Sequence, residues 1–424
     1  MTSRHARQPL SRYLILLLAG VLASTSATLH AEEAVAAEQR HSETEEQRPA
    51  AAKEELLATL RQRLQEGGRS SGMLFFTPTE RRAAFAHVDQ ILPTRRVKAS
   101  RTPWPLLDDL QSFAKLEYTV DGKRFTVADF LAMPETIGLI VVKNDRVLFE
   151  HYAPGHHRDS RWVSFSVTKS ITSMLIGAAV KDGFIESVDV PVTTHVPRLG
   201  QSPYADATIR DVLQMASGVA WNEDYADPES DVARAGAANG LELVRYLGTL
   251  PRLGSPGARF NYNTGETNLA GEILRSAIGN NAASYLEERI WQPFGMEHDA
   301  HWLTSPAGGG ETGGCCLSAT LRDYARIGIF ALRSGVLADG TQVLPGKFMA
   351  DSTAPSPADP GYGYLWWLSG DGSYAAQGIF GQQIFIDPAA GLVIAAHSNA
   401  LTAVGGEHPQ HLDAVTALLR AAAR

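Results

Sequence analysis

From Val167 to Ala179 the chain carries a single charge, Lys169, and this stretch constrains the fold more than any other. Val167, Ile171, Met174, Leu175, Ala178 and Ala179 recur at helical spacing, and Gly183 supplies a stop. A helix apolar on nearly all sides belongs inside a domain, so Lys169 is expected to be buried with it. Burial penalises the ammonium and lowers a lysine pKa. Ser166 stands one turn before Lys169, and residues three apart are neighbours on a helix face. A serine hydroxyl is a poor nucleophile until an adjacent base takes its proton. Ser-x-x-Lys at this place therefore predicts a nucleophile and its base.

The four-residue pattern needs its context, because Ser112-Phe-Ala-Lys115 repeats it in a polar stretch rich in acids. That copy reads as a surface coincidence. Gly68-Arg-Ser-Ser-Gly72 matches a nucleophile elbow in letters alone, since no buried strand precedes it and no buried helix follows. His151, His156, His157 and Asp159 fit no zinc spacing and read as a polar loop. No phosphate-cradling glycine loop is present, so no cofactor and no metal is expected.

A length of 424 residues fits one large domain or two intimate ones, and the formal charge of −8 comes without a basic tract that would attract nucleic acid. Residues 1–31 pair Arg4, Arg7 and Arg12 with the apolar run Tyr13 to Ala23 and then small residues at Ala27 and Ala31. This is the layout of a secretory signal peptide. It predicts export to the periplasm or medium, with no stable membrane insertion after cleavage. Residues 32–72 read as an Ala/Glu-rich spacer and 73–424 as the catalytic domain. Cys315 and Cys316 are adjacent. Buried, inert thiols are the favoured reading and a vicinal disulfide the minority one.

Thr136 to His151 reads as two strands turning at Asn144-Asp145, and Tyr374 to Gln377, Gln382 to Ile386 and Gly391 to His397 as three more. Helices are expected at Ile209 to Met215, Leu241 to Leu247, Thr267 to Ile278, Ala283 to Trp291, Thr320 to Leu332 and Leu412 to Ala423. Strands near both ends with a helical middle predict an α+β fold, in which an antiparallel sheet is flanked by terminal helices and an inserted helical subdomain. Ser166 would lie at the seam, where small-molecule clefts form.

Ser166-Val-Thr-Lys169, Pro256-Gly-Ala-Arg-Phe-Asn-Tyr-Asn-Thr264 and Gly361-Tyr-Gly-Tyr-Leu-Trp-Trp367 together resemble the serine β-lactamase, DD-peptidase and esterase superfamily. The likeness spans about Thr79 to Ala423 and is closest to the class C-like branch that includes 6-aminohexanoate-dimer hydrolases. Asp89 to Val97, Leu213 to Gly218, Leu317 to Arg326 and Gly381-Gln-Gln383 add to it. The resemblance implies that Tyr262 shares proton transfer with Lys169, which a phenol beside an ammonium can do. It implies an oxyanion hole from the backbone N–H groups of Ser166 and Ile379. It also places Tyr225, Thr264 and Gly378 against substrate. The family's Lys-Thr-Gly strand motif becomes Ala376-Gln377-Gly378 here, without its cation. A hydrolase of small linear amides or esters is thus expected ahead of a β-lactamase or DD-peptidase. A penicillin-recognising binding protein without turnover is the alternative of another class.

Overall fold

The computed structural model describes residues 51–67, 70–305 and 309–423. The chain divides into units 1–58 and 59–424, and of the first unit residues 51–58 are described, all helical. The expected signal peptide, the spacer up to Ala50 and part of the Gly68–Gly72 run lie outside the described residues.

Among the described residues, thirteen strands build the second unit. They are β1 (Thr94–Val97), β2 (Leu107–Asp108), β3 (Glu117–Val120), β4 (Lys123–Thr126), β5 (Thr136–Lys143), β6 (Arg146–Tyr152), β7 (Arg161–Val163), β8 (Ala300–Leu303), β9 (Leu317–Thr320), β10 (Trp367–Leu368), β11 (Tyr374–Gly378), β12 (Gln382–Asp387) and β13 (Leu392–Ser398). The main sheet runs β10-β11-β12-β13-β5-β6-β2, antiparallel except for the parallel β2–β6 edge. Asn144 and Asp145 both take positive φ, 48° and 63°. That is the turn whose twist suits a two-residue hairpin, and it fixes the β5–β6 register.

The strands at the sheet centre are apolar without alternation because both faces are covered. Leu139 and Val141 of β5 join Leu392, Ile394 and Ala396 of β13 in one core layer, under the C-terminal helix. Ile140, Val142, Val393 and Ala395 point the other way into the larger core, which holds the helical middle. Four helices matter for the site: α1 (Val167–Lys181), α2 (Thr264–Ile278), α3 (Leu321–Leu332) and α4 (Glu407–Ala422).

Two helices begin earlier than the sequence pattern predicts. For α2, the Asn263 side chain accepts the Glu266 N–H and caps the first turn three residues upstream of the expected start. For α4, Pro409 sits in the first turn, where its missing N–H has no helical partner to lose. A second sheet, ordered β1-β8-β9-β7, was not expected. Its strands are only three or four residues long, too short for a period to show. Ser112 and Lys115 are exposed and outside any helix, as read from their neighbours. His156 lies in the loop after β6, as read, but turns inward to meet His397 at 3.1 Å in the interior.

Candidate active site

Ser166 stands immediately before α1, at the end of a turn from β7. Phe165, just ahead of it, has φ 45°, in the left-handed region that bulky side chains avoid. Phe380, just after Ile379, has φ 60°. The two rings pack against each other at 5.4 Å and both against Phe85, at 4.9 and 5.6 Å. One aromatic cluster therefore over-determines both strained residues beside the candidate oxyanion amides, which is how such conformations persist. Among the described residues neither the Ser166 nor the Ile379 N–H donates to a backbone carbonyl. At Gly378 an added Cβ would lie 2.4 Å from the Ser164 oxygen and 3.1 Å from the Ser166 nitrogen. Only glycine lets β11 approach the nucleophile's backbone this closely.

Lys169 is 2% exposed. Its Nζ donates to Thr264 Oγ1 at 2.9 Å and to the Gly314 carbonyl at 2.8 Å, and lies 5.4 Å from the Tyr262 ring centre. Burial lowers its pKa to about 8, against a smaller opposite pull from Glu223. Burial, then Glu223, pushes the pKa of Tyr262 up, while the Ser166 side chain pulls it the other way. A neutral phenol between serine and a lysine that titrates near neutrality can pass protons in either direction. Tyr262 also stacks on Trp367 at 5.5 Å, which fixes its ring.

Two cavities meet at Ser166. The wider, about 380 Å³, is lined by Ser166, Tyr225, Tyr262, Gly378 and Ile379, and beyond them by Gln377, Gln383 and Asp413. The narrower, about 50 Å³, has apolar walls that include Val232, Leu303, Ile379, Cys315 and Cys316. Cys315 and Cys316 are joined in a disulfide, so the favoured reading of two free thiols is corrected. The pair follows Gly314, whose carbonyl holds Lys169, and the Cys316 N–H donates to the Phe165 carbonyl at 3.2 Å.

The predicted residues thus converge, with two differences of detail. The Thr264 hydroxyl is committed to Lys169 and to Glu223. The Tyr225 hydroxyl donates to Glu223 at 2.7 Å while its ring lines the wide cavity. Glu223 itself was missed by sequence reasoning. It lies among Asp224, Asp227 and Asp231, which here accept N–H groups of their own loop. Nothing in the residue types separates the one acid that faces the site from the three that shape the loop. Asp413 was missed because it sits on the polar side of a helix called only for its packing.

Comparison with known proteins supplies an independent finding. The family model described as Beta-lactamase matches residues 126–417. A 6-aminohexanoate-dimer hydrolase of Paenarthrobacter ureafaciens is 29% identical over 339 residues, covering 74% of this chain and 84% of that protein. Among solved structures, a Bacillus anthracis protein provisionally assigned as a 6-aminohexanoate-dimer hydrolase superposes with TM-score 0.71 at 23% identity, covering 81% of this chain and 93% of that one. A family VIII carboxylesterase superposes with TM-score 0.54 at 17% identity, covering 69% and 95%. The two structural likenesses speak for the fold.

Proposed function

We propose that this chain, which belongs to the beta-lactamase family and is a serine hydrolase, cleaves small linear amides or esters that are neutral or cationic near the scissile bond. Ser166 attacks the carbonyl as Tyr262 takes its proton, with Lys169 beneath to share it. The Ser166 and Ile379 amides receive the oxyanion, where each such donor is worth about 3 kcal/mol in related chemistry. The same phenol protonates the leaving amine or alkoxide, and water then releases the acyl group.

One observation carries the substrate class. The wall of the wide cavity has no Lys, Arg or His among its described residues, and Asp413 is its acid. A site for a carboxylate-bearing β-lactam or cell-wall peptide needs a cation to receive that carboxylate. An oligomer of an amino acid joined by amides, as in the name of the Paenarthrobacter relative, presents an ammonium that Asp413 can attract, with its carboxylate held away from the scissile amide at the other end of the molecule. Action outside the cytoplasm belongs to the same proposal and rests on the leader-like composition of residues 1–31.

The test is fluorophosphonate labelling by intact mass, beside turnover of short nitrophenyl esters, a linear 6-aminohexanoate dimer and a chromogenic cephalosporin. Wild type is expected to label once and to turn over ester or amide well ahead of the cephalosporin. Ser166→Ala should lose labelling and at least about 10³-fold in activity. A wild-type protein that neither labels nor turns over any of the probes would instead favour the binding-protein reading.

A further inference from the structure

The machinery of Ser166, Lys169 and Tyr262 leaves one acid beside it without a role. Glu223 lies on the loop after Val219, partly buried, and four donors converge on its carboxyl. Trp221 Nε1 and the Thr264 N–H, at 3.0 Å, donate to Oε2. Tyr225 Oη, at 2.7 Å, and Thr264 Oγ1 donate to Oε1. An ionised carboxylate accepts and does not donate, so four donors and no acceptor match that form. Thr264 is the first residue of the 15-residue α2, whose N-terminal end also favours negative charge.

The direction of one hydroxyl gives this acid its connection. Lys169 Nζ donates to Thr264 Oγ1, and Thr264 Oγ1 can then donate only its own proton, which goes to Glu223. Lys169, Thr264 and Glu223 form a directed chain with a cation at one end and a carboxylate at the other. On the assignment of Lys169 and Tyr262 above, we propose that Glu223 is a positioning residue that sets the proton load of Lys169 through the Thr264 hydroxyl.

The other groups facing Lys169 are uncharged donors or acceptors. They are Tyr262 from the loop before α2 and the Gly314 carbonyl from the segment before β9. Glu223 is therefore the charge that opposes the desolvation of Lys169, in accord with its upward pull on the lysine. It also pushes the pKa of Tyr262 up, second to burial, which keeps the phenol's proton in place. A carboxylate here raises the pH at which Lys169 gives up its proton and becomes able to accept one through Tyr262. It also aims the Thr264 lone pair so that Nζ is fixed beneath the nucleophile.

The experiment measures the rate of fluorophosphonate labelling against pH, which needs no identified substrate. Wild type should show an acid limb as Lys169 loses its proton. Glu223→Gln removes the charge that favours the ammonium, so the midpoint should fall by about one pH unit or more, with a labelling rate at the plateau reduced about 10- to 100-fold. Thr264→Ser keeps the hydroxyl and should reproduce the wild-type midpoint. Thr264→Val removes the link while leaving Glu223 in place, and should lower both midpoint and rate. It decides the matter if Glu223→Gln fails to fold.

A reduced rate with an unmoved midpoint in Glu223→Gln, or in Thr264→Val if the first variant is unfolded, would make Glu223 a loop anchor and overturn the proposal. Failure of the underlying reading looks different. In that case wild type does not label, or Ser166→Ala labels as well as wild type.

Discussion

A lysine 2% exposed beneath a serine is a base only in its neutral form, so its protonation decides when the residue can act. Its free-chain pKa is about 10.4, and burial brings it to about 8. Below that value the ammonium cannot accept the proton that, in the proposed relay, Tyr262 draws from Ser166. Activity should thus rise with pH and level off above about 8, in a kcat/KM profile for a neutral ester that does not itself titrate. Lys169→Arg keeps a cation in the same place but cannot lose it. The variant should lose about 10²- to 10⁴-fold, the usual range for a positioned acid or base, at every pH up to 9.5. An Arg variant that recovers activity at high pH would mean that charge, and not proton acceptance, is what Lys169 contributes.

Among the elements, the turns before α1 and after β11 matter as much as the helix, since they carry the two amides proposed to receive the oxyanion. Their link is the Phe85, Phe165 and Phe380 cluster, with Arg81 stacked 4.2 Å over the Phe380 ring. Phe85→Ala opens a cavity in a fully buried site and should cost about 3–5 kcal/mol of stability. Because both left-handed residues lean on that ring, kcat should fall by about 10-fold or more with KM little changed. Urea unfolding and steady-state kinetics on one preparation separate the two effects. A stability loss with unchanged kcat would show that the strained turns hold themselves. The cluster also shows where sequence reading stops. The helix of Ser166 and Lys169, the hairpin at Asn144-Asp145 and the three C-terminal strands were legible because period and turn chemistry are local. The proximity of Phe85 to Phe380 depends on pairing across almost 300 residues, which no local pattern encodes. Glu223 was hidden for another reason: its neighbours Asp224 and Asp227 have the same chemistry and different partners.

At the scale of the whole molecule, the cavity draws its walls from distant stretches of the chain. Ser166 comes from the start of α1, Tyr262 from before α2, Gly378 from the sheet edge, and Asp413 from the last helix. That last helix is held from several sides. Val415 and Leu419 enter the sheet-side core, His411 Nδ1 meets Tyr118 Oη at 2.7 Å, and Arg420 pairs with Asp387 and Asp371, both at 2.6 Å. A helix so anchored holds Asp413 at a fixed place along the cavity while leaving its side chain exposed. The field it sets up should attract an ammonium and repel a carboxylate. Asp413→Lys replaces an exposed residue in a rigid helix, so the fold and the labelling of Ser166 by a neutral fluorophosphonate should persist. The kcat/KM ratio of a cationic to an anionic ester of equal length should then fall by about 10-fold or more. The change should shrink in 0.5 M salt, since exposed charges are screened over about 4 Å to 5 Å at that strength. An unchanged ratio would place the charged end of the substrate elsewhere, and the preference for neutral or cationic substrates would then rest on the missing cation at Gln377 alone.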